Sequence, residues 1–201
     1  MRRYEEQYYI LKRVEFRETF LSLRATENTG VRNHTYEKLD YGDGPVFFEN
    51  GYKGEIPFHL TNAQMESIYP VVSEDVASVL KGYHIEGFQL FPAIIIDDDG
   101  KWHEGFYFFN FYRDIDCVDF QNSVVRNYSA AKRNNTVLQY KLDKSVLDAI
   151  PEEHRLMIKL AGVTGGALLF HENIVNALAK FNIEAFQFFK LSDYRKGMEF
   201  E

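Results

Sequence analysis

A stretch of 22 residues occurs twice in this chain. Val71 to Pro92 (VVSEDVASVLKGYHIEGFQLFP) aligns with Leu169 to Lys190 (LFHENIVNALAKFNIEAFQFFK) at a constant offset of 98. Glu74 falls on Glu172, Leu80 on Leu178, Ile85 on Ile183, Glu86 on Glu184, Phe88 on Phe186, Gln89 on Gln187 and Phe91 on Phe189, so seven of the 22 positions are identical. Val76 with Ile174 and Tyr83 with Phe181 keep the apolar pattern between the identities. Each copy reads as a helix followed by a strand. A unit this small cannot bury its own apolar face, so the two copies must pack on the rest of the chain. The repeat carries no catalytic motif and constrains architecture rather than chemistry.

Two hundred and one residues, 45% of them apolar and 16% aromatic, are enough for a folded globular domain with a sizeable core. We expect a single domain over residues 1–201, with a strand- and loop-rich lead-in over 1–60 and a core over 70–194 that holds both repeats. The lone Cys117 excludes an intramolecular disulfide. The opening MRRYEEQYYILKRVEF is broken by Glu5, Glu6, Lys12, Arg13 and Glu15, which argues against an export signal. The apolar runs at Leu90–Ile96 and Phe106–Phe111 fall short of the ~20 residues needed to span a bilayer. A soluble, cytoplasmic protein is expected. Net charge is −7, which works against nonspecific attraction to nucleic acid or an anionic membrane and favours a cationic partner.

Alternation of apolar and polar residues predicts strands at Tyr8–Val14 and Thr19–Leu23. Asp40–Gly54 is rich in turn formers around one short strand, Val46–Phe48. Ser73 is placed to cap a helix over Glu74–Lys81 that Gly82 ends. Ile85–Ile96 and Trp102–Tyr112 form a hairpin through Asp97-Asp98-Asp99-Gly100, and the dense Phe/Tyr run of its second arm predicts a central strand. Ile115–Phe120 is a further short strand, followed by a polar connection over Asn122–Asn135. Val137–Leu142 is a strand. Asp143–Ile150 is a short helix capped by Asp143 and stopped before Pro151. Leu156–Leu160 and Ala167–Phe170 form a hairpin, followed by a helix over Glu172–Lys180 and a strand over Ile183–Lys190. Ser192–Glu201 reads as a polar, frayed tail. Few helices, many strands and no regular alternation between them predict an α+β fold with mainly antiparallel sheet.

Candidate chemistry is sparse. Asp97, Asp98 and Asp99 lack the alternating ligands and distal Glu of a calcium loop, and the hairpin-turn reading is stronger than a metal site. Cys117 is surrounded by Asp114, Asp116 and Asp119, which hold a thiol protonated, so it reads as a core residue. The six histidines show no zinc spacing. Gly162–Ala167 lacks the order of a phosphate-binding loop. Lys132 and Arg133 are too few for a nucleic-acid face. No metal, cofactor or catalytic residue is assigned. Tyr8, Tyr9, Tyr36, Tyr41 and Tyr52 lie in polar or turn-rich sequence, where exposed Tyr beside acids suits protein recognition and buried Tyr would merely edge the core.

From Pro70 to Tyr194 the order of elements, the YFFNFYRDIDCVDFQNS run at Tyr107–Ser123 and the closing ALLFHENIVNALAKFNIEAFQFF at Ala167–Phe189 resemble the immunity protein eleven family of bacterial polymorphic toxin systems. The resemblance implies a non-enzymatic antitoxin that binds a cognate secreted toxin effector and blocks it, with no catalytic residue to carry over. Acidic loop ends, Asp97, Asp98, Asp99 and Glu104 with Asp40, Asp43 and Glu49, are the expected contacts to a basic face on that toxin. The competing reading is a small-ligand-binding or hydrolytic enzyme using Asp116, Asp119 and His103. A structural subunit of a homodimer is a third.

Overall fold

A computed structural model describes residues 3–14, 20–126, 128–129 and 135–200. Thirteen strands and four short helices are found in that part of the chain. In order they are β1 (Tyr8–Arg13), β2 (Ser22–Ala25), α1 (Glu27–Gly30), β3 (Val46–Asn50), β4 (Ala63–Glu66), β5 (Tyr69–Ser73), α2 (Glu74–Ser78) and β6 (Phe88–Ile96). There follow β7 (Trp102–Phe111), β8 (Asp114–Ile115), β9 (Val124–Arg126), β10 (Thr136–Gln139), α3 (Lys144–Asp148), β11 (Met157–Leu160), β12 (Leu168–His171), α4 (Glu172–Leu178) and β13 (Phe186–Lys190). The fold is α+β with mainly antiparallel pairing, as the composition of elements predicts.

Six strands close a barrel in the order β2-β3-β6-β7-β5-β4, and five form a sheet in the order β13-β1-β12-β11-β8. β9 and β10 make a small separate ribbon. The repeat explains the two larger sheets. In the barrel, β4 and β5 form a hairpin, α2 crosses over, and β6 returns parallel to β5 with β7 antiparallel between them. In the second sheet, β11 and β12 form the hairpin, α4 crosses over, and β13 returns parallel to β12 with β1 antiparallel between them. Even the flanking pairs match, since β2 runs parallel to β4 and β8 runs parallel to β11. The barrel is therefore the five-stranded arrangement plus one strand, β3, which joins β2 to β6. The strand inserted into the second copy comes from the N-terminal end of the chain, whereas β7 of the first copy directly follows β6.

Register decides what lies inside the barrel. Phe48 pairs with Ile95, and Phe108 with both Phe91 and Val71, which puts these five side chains on the same side of the wall; all are fully buried. On the outer side, Phe88 packs edge-on against Phe109 and tilted against Phe111, and Phe111 meets Phe170 of β12 at 6.3 Å between ring centroids. One apolar cluster thereby runs from the barrel into the second sheet, with Leu11, Met157, Phe170 and Phe186 among its members. The segment 34–39 joins the two as well. Asn110, itself fully buried, donates to the carbonyls of His34 at 2.7 Å and Glu37 at 3.0 Å, while Lys159 of β11 donates to the Thr35 carbonyl at 2.8 Å.

The local signals that hold are the Asp-rich turn, with Ile96 opposite Trp102, and the Asp143 cap, whose carboxylate accepts from the Ser145 and Val146 amides. Several expectations are corrected. The first repeat begins with a strand, β5, and Pro70 lies within it, at a point where pairing with β7 has not yet begun. Ser73 makes no side-chain cap; its hydroxyl lies 3.4 Å from the Asn62 side-chain carbonyl, and α2 ends at Ser78 instead of Lys81. The polar connection over 122–135 contains β9. Tyr8 is fully buried, not partly exposed. The tail does not fray through its length: Leu191 and Tyr194 are buried, and a 3-10 turn spans Met198–Phe200. Glu15, Thr19, Lys132 and Arg133 lie outside the described residues.

Candidate functional site

β3 runs beside β6, with Val46 opposite Ala93 and Glu49 opposite Ile96, and this pair faces outward between two acid-bearing ends. At the hairpin end, Glu49, Ile96 and Trp102 form a row across three strands. The Trp102 indole, the only one in the chain, packs against the Phe47 ring at 5.2 Å and remains 57% exposed. The same hairpin bears Asp97, Asp98, Asp99 and Glu104, the last beside Gly105, whose φ of +84° accommodates an irregularity in β7.

These acids are not equally free. Asp97 turns inward on its own hairpin: His103 Nε2 lies 2.8 Å from its carboxylate, and the amides of Asp99 and Lys101 donate to it at 3.0 and 2.9 Å. The His103 contact first, then the Lys101 amide, hold the Asp97 carboxyl below the usual carboxylate range. Glu49 is bridged by Arg24 at 2.7 Å. Asp98 accepts from Asn50 at 3.4 Å, and its carbonyl takes Lys53 at 2.6 Å, fastening the 51–56 loop to the hairpin. Asp99 and Glu104 are exposed and carry no side-chain partner among the described residues.

Asp40 and Asp43 stand at the other end of β3. Asp40 caps a 3-10 turn over Tyr41–Asp43 by accepting from the Gly42 amide at 2.8 Å. Tyr41, 60% exposed, donates to the Leu90 carbonyl at 3.2 Å, which ties this turn to β6. Asp43 ends the turn before β3 and Glu49 is the fourth residue of that strand, so the six-residue step between them spans at most about 20 Å. The seven acids expected to act together thus form two groups instead of a single cluster, and Asp97 is turned toward His103, away from the outer side that carries Trp102.

Beside Tyr41 runs an open groove of about 760 Å³, lined by Leu80, Tyr83, Phe88, Leu90, Pro92 and Tyr107 among others. Its charged members are paired: Lys81 with Glu74 at 3.1 Å, and Glu86 with Arg113.

The residues of the enzyme reading are not brought together. His103 is at the start of β7 and Asp116 beyond its far end, and the strand from His103 to Phe111 alone spans roughly 26 Å. His103 is engaged with Asp97, and Asp119 accepts from the Gln121 and Asn122 amides. Cys117 is fully buried, and burial first, then the charges of Asp116 and Asp143, push its thiol up to about 12. Among the described residues no group of three or more His, Cys, Asp or Glu is placed to hold a metal ion, and no helix is long and apolar enough to cross a membrane. Sequence reasoning missed Trp102, taken only as a strand start; its place directly after the Asp-rich turn was the available signal.

The family model described as Immunity protein family (Imm11) matches residues 4–147, and this chain belongs to that family. The matched stretch runs from the turn before β1 to α3, so it takes in the N-terminal part, which had read as a generic lead-in, and stops before the second repeat. No curated protein matches the chain.

Proposed function

We propose that this protein neutralises a cognate toxin effector by binding it through the outward face of β3 and β6, from Asp40 and Asp43 past Trp102 to Asp97, Asp98, Asp99 and Glu104. Family membership gives the immunity role. The observation that carries the docking face is the exposed Trp102 ring on the acid-rich β6–β7 hairpin. Exposed indoles are disfavoured on a monomer and are the commonest anchors of protein interfaces, because one rigid ring desolvates a large area. A face roughly 20 Å long matches the ~800 Å² that each partner contributes to an ordinary specific interface. Carboxylates around the anchor select a basic patch on the toxin and speed encounter. Inhibition here is surface complementarity and requires no turnover.

The test is to replace Asp97, Asp98 and Asp99 together by Lys and measure association with the toxin encoded beside this chain, at low and at high salt. Association should slow at low salt and converge with the unaltered protein at high salt. A charge-reversed protein that associates equally fast at low salt and protects cells contradicts this face. Light scattering of the free protein separates the toxin-binding reading from a homodimer that covers the same strands.

A further inference from the structure

We infer that Arg155 forms the floor of a binding site for a small organic carboxylate, on the second sheet and independent of the toxin-binding face. A pocket of about 550 Å³ opens there, lined by the buried Tyr4, Glu5, Leu142 and Arg155 and by the more exposed Arg3, Lys144 and Glu152. That volume lies within the roughly 300–1,000 Å³ of small-molecule sites. Arg155 is only 7% exposed, and among the described residues no carboxylate pairs with it within 4.0 Å.

Its known partners are neutral. Nε donates to the Ile150 carbonyl at 3.0 Å, Nη1 to the Tyr8 hydroxyl at 2.9 Å and Nη2 to the Tyr4 hydroxyl at 3.4 Å, and the guanidinium lies over the Tyr4 ring at 4.8 Å. These contacts use three of the five N–H donors and hold the group in a fixed plane. A buried guanidinium is retained at a desolvation penalty that a counter-anion offsets, and its fork fits a carboxylate in two parallel hydrogen bonds. Two of the acids nearby are otherwise engaged, while Glu152 stands exposed at the rim, where its charge already acts on Arg155. Glu5 accepts from the Leu142 amide at 2.8 Å, and Asp148 accepts from Tyr4 at 2.7 Å and pairs with Lys144. Tyr4 and Leu142 supply an apolar wall, which favours a carboxylate on an apolar body over a bare inorganic anion.

Calorimetric titration of the full chain with benzoate, with citrate and with inorganic phosphate, at matched ionic strength, tests this. Saturable one-site binding of benzoate, weakened about tenfold or more in Arg155→Lys, is the expected result, because the lysine keeps the charge and loses the fork. Lys144→Gln, at the exposed rim, should weaken it less. Absence of saturable binding, binding of phosphate in preference to both carboxylates, or undiminished affinity in Arg155→Lys overturns the inference. Should Arg155→Lys fail to fold, the Arg155 Nε–H resonance of the unaltered protein decides: it moves saturably with benzoate if the site exists and stays fixed if it does not.

Discussion

Ser73 and His171 stand at the same position of two copies of one strand-helix-strand unit, and only His171 caps its helix, its Nδ1 accepting from the Asn173 amide at 3.3 Å. His171 also packs edge-on against the buried Tyr8 ring at 5.4 Å, so one side chain ends β12, starts α4 and supports β1. We expect His171→Ala to cost about 2–3 kcal/mol in urea unfolding, from the lost cap and the lost packing, and Ser73→Ala to cost under about 0.5 kcal/mol. Equal losses at the two positions would show that α2 depends on a side-chain cap after all.

The repeat diverges again at Gly87, which corresponds to Ala185. Gly87 has a φ of +76°, and a Cβ there would meet the Arg113 Cβ at 2.6 Å. Gly87→Ala should therefore destabilise by about 1–3 kcal/mol, the combined effect of left-handed backbone and a clash with a chain segment that cannot swing away. Unchanged thermal unfolding of that variant would mean the 85–88 turn relaxes freely.

Alkaline unfolding follows from the buried protonated groups. Burial first raises Tyr8 from its ordinary 10.0 to about 12, and Cys117 from 9.0 to about 12. The folded chain therefore holds protons that the unfolded chain releases. Their contribution is intact below about pH 9 and is lost as pH rises from there toward 12, at about 1.4 kcal/mol per group per pH unit. Urea midpoints measured across pH 8 to 12 check this. Cys117→Ala should flatten the early part of the decline, where the thiol alone contributes.

Much of the fold was legible where the signal was local. The Asp-Gly turn fixed the β6–β7 hairpin, and Asp143 with Pro151 fixed the ends of α3 within two residues. The barrel was not legible, because its closure rests on parallel pairings between distant segments, Ser22 with Met65 and Val46 with Ala93, that no short pattern encodes. β4 and β5 were missed for a related reason. Their turn uses Ser67 at φ +53° in place of Gly or Asn, and Pro70 within β5 is tolerated only because β7 pairs from Val71 onward. The acids of the docking face were found from composition, but that they fall into two groups and that Trp102 stands on the outer side of the barrel follow from the pairing of β3, β6 and β7.

Trp102→Ala should leave stability within about 0.5 kcal/mol, since the ring is exposed, and should weaken toxin binding by about 2 kcal/mol or more. Comparing unfolding midpoints with dissociation constants separates the two effects. A large stability loss would assign the ring to the barrel wall.

Because the chain contains a single tryptophan, its fluorescence reports the docking face directly. Titration with a tryptophan-free toxin domain should blue-shift the Trp102 emission and shield it from iodide quenching, saturating at the stoichiometry of the complex. An emission maximum and quenching constant that stay unchanged while the complex forms would contradict docking at this face, and the absence of any complex would contradict the immunity function itself.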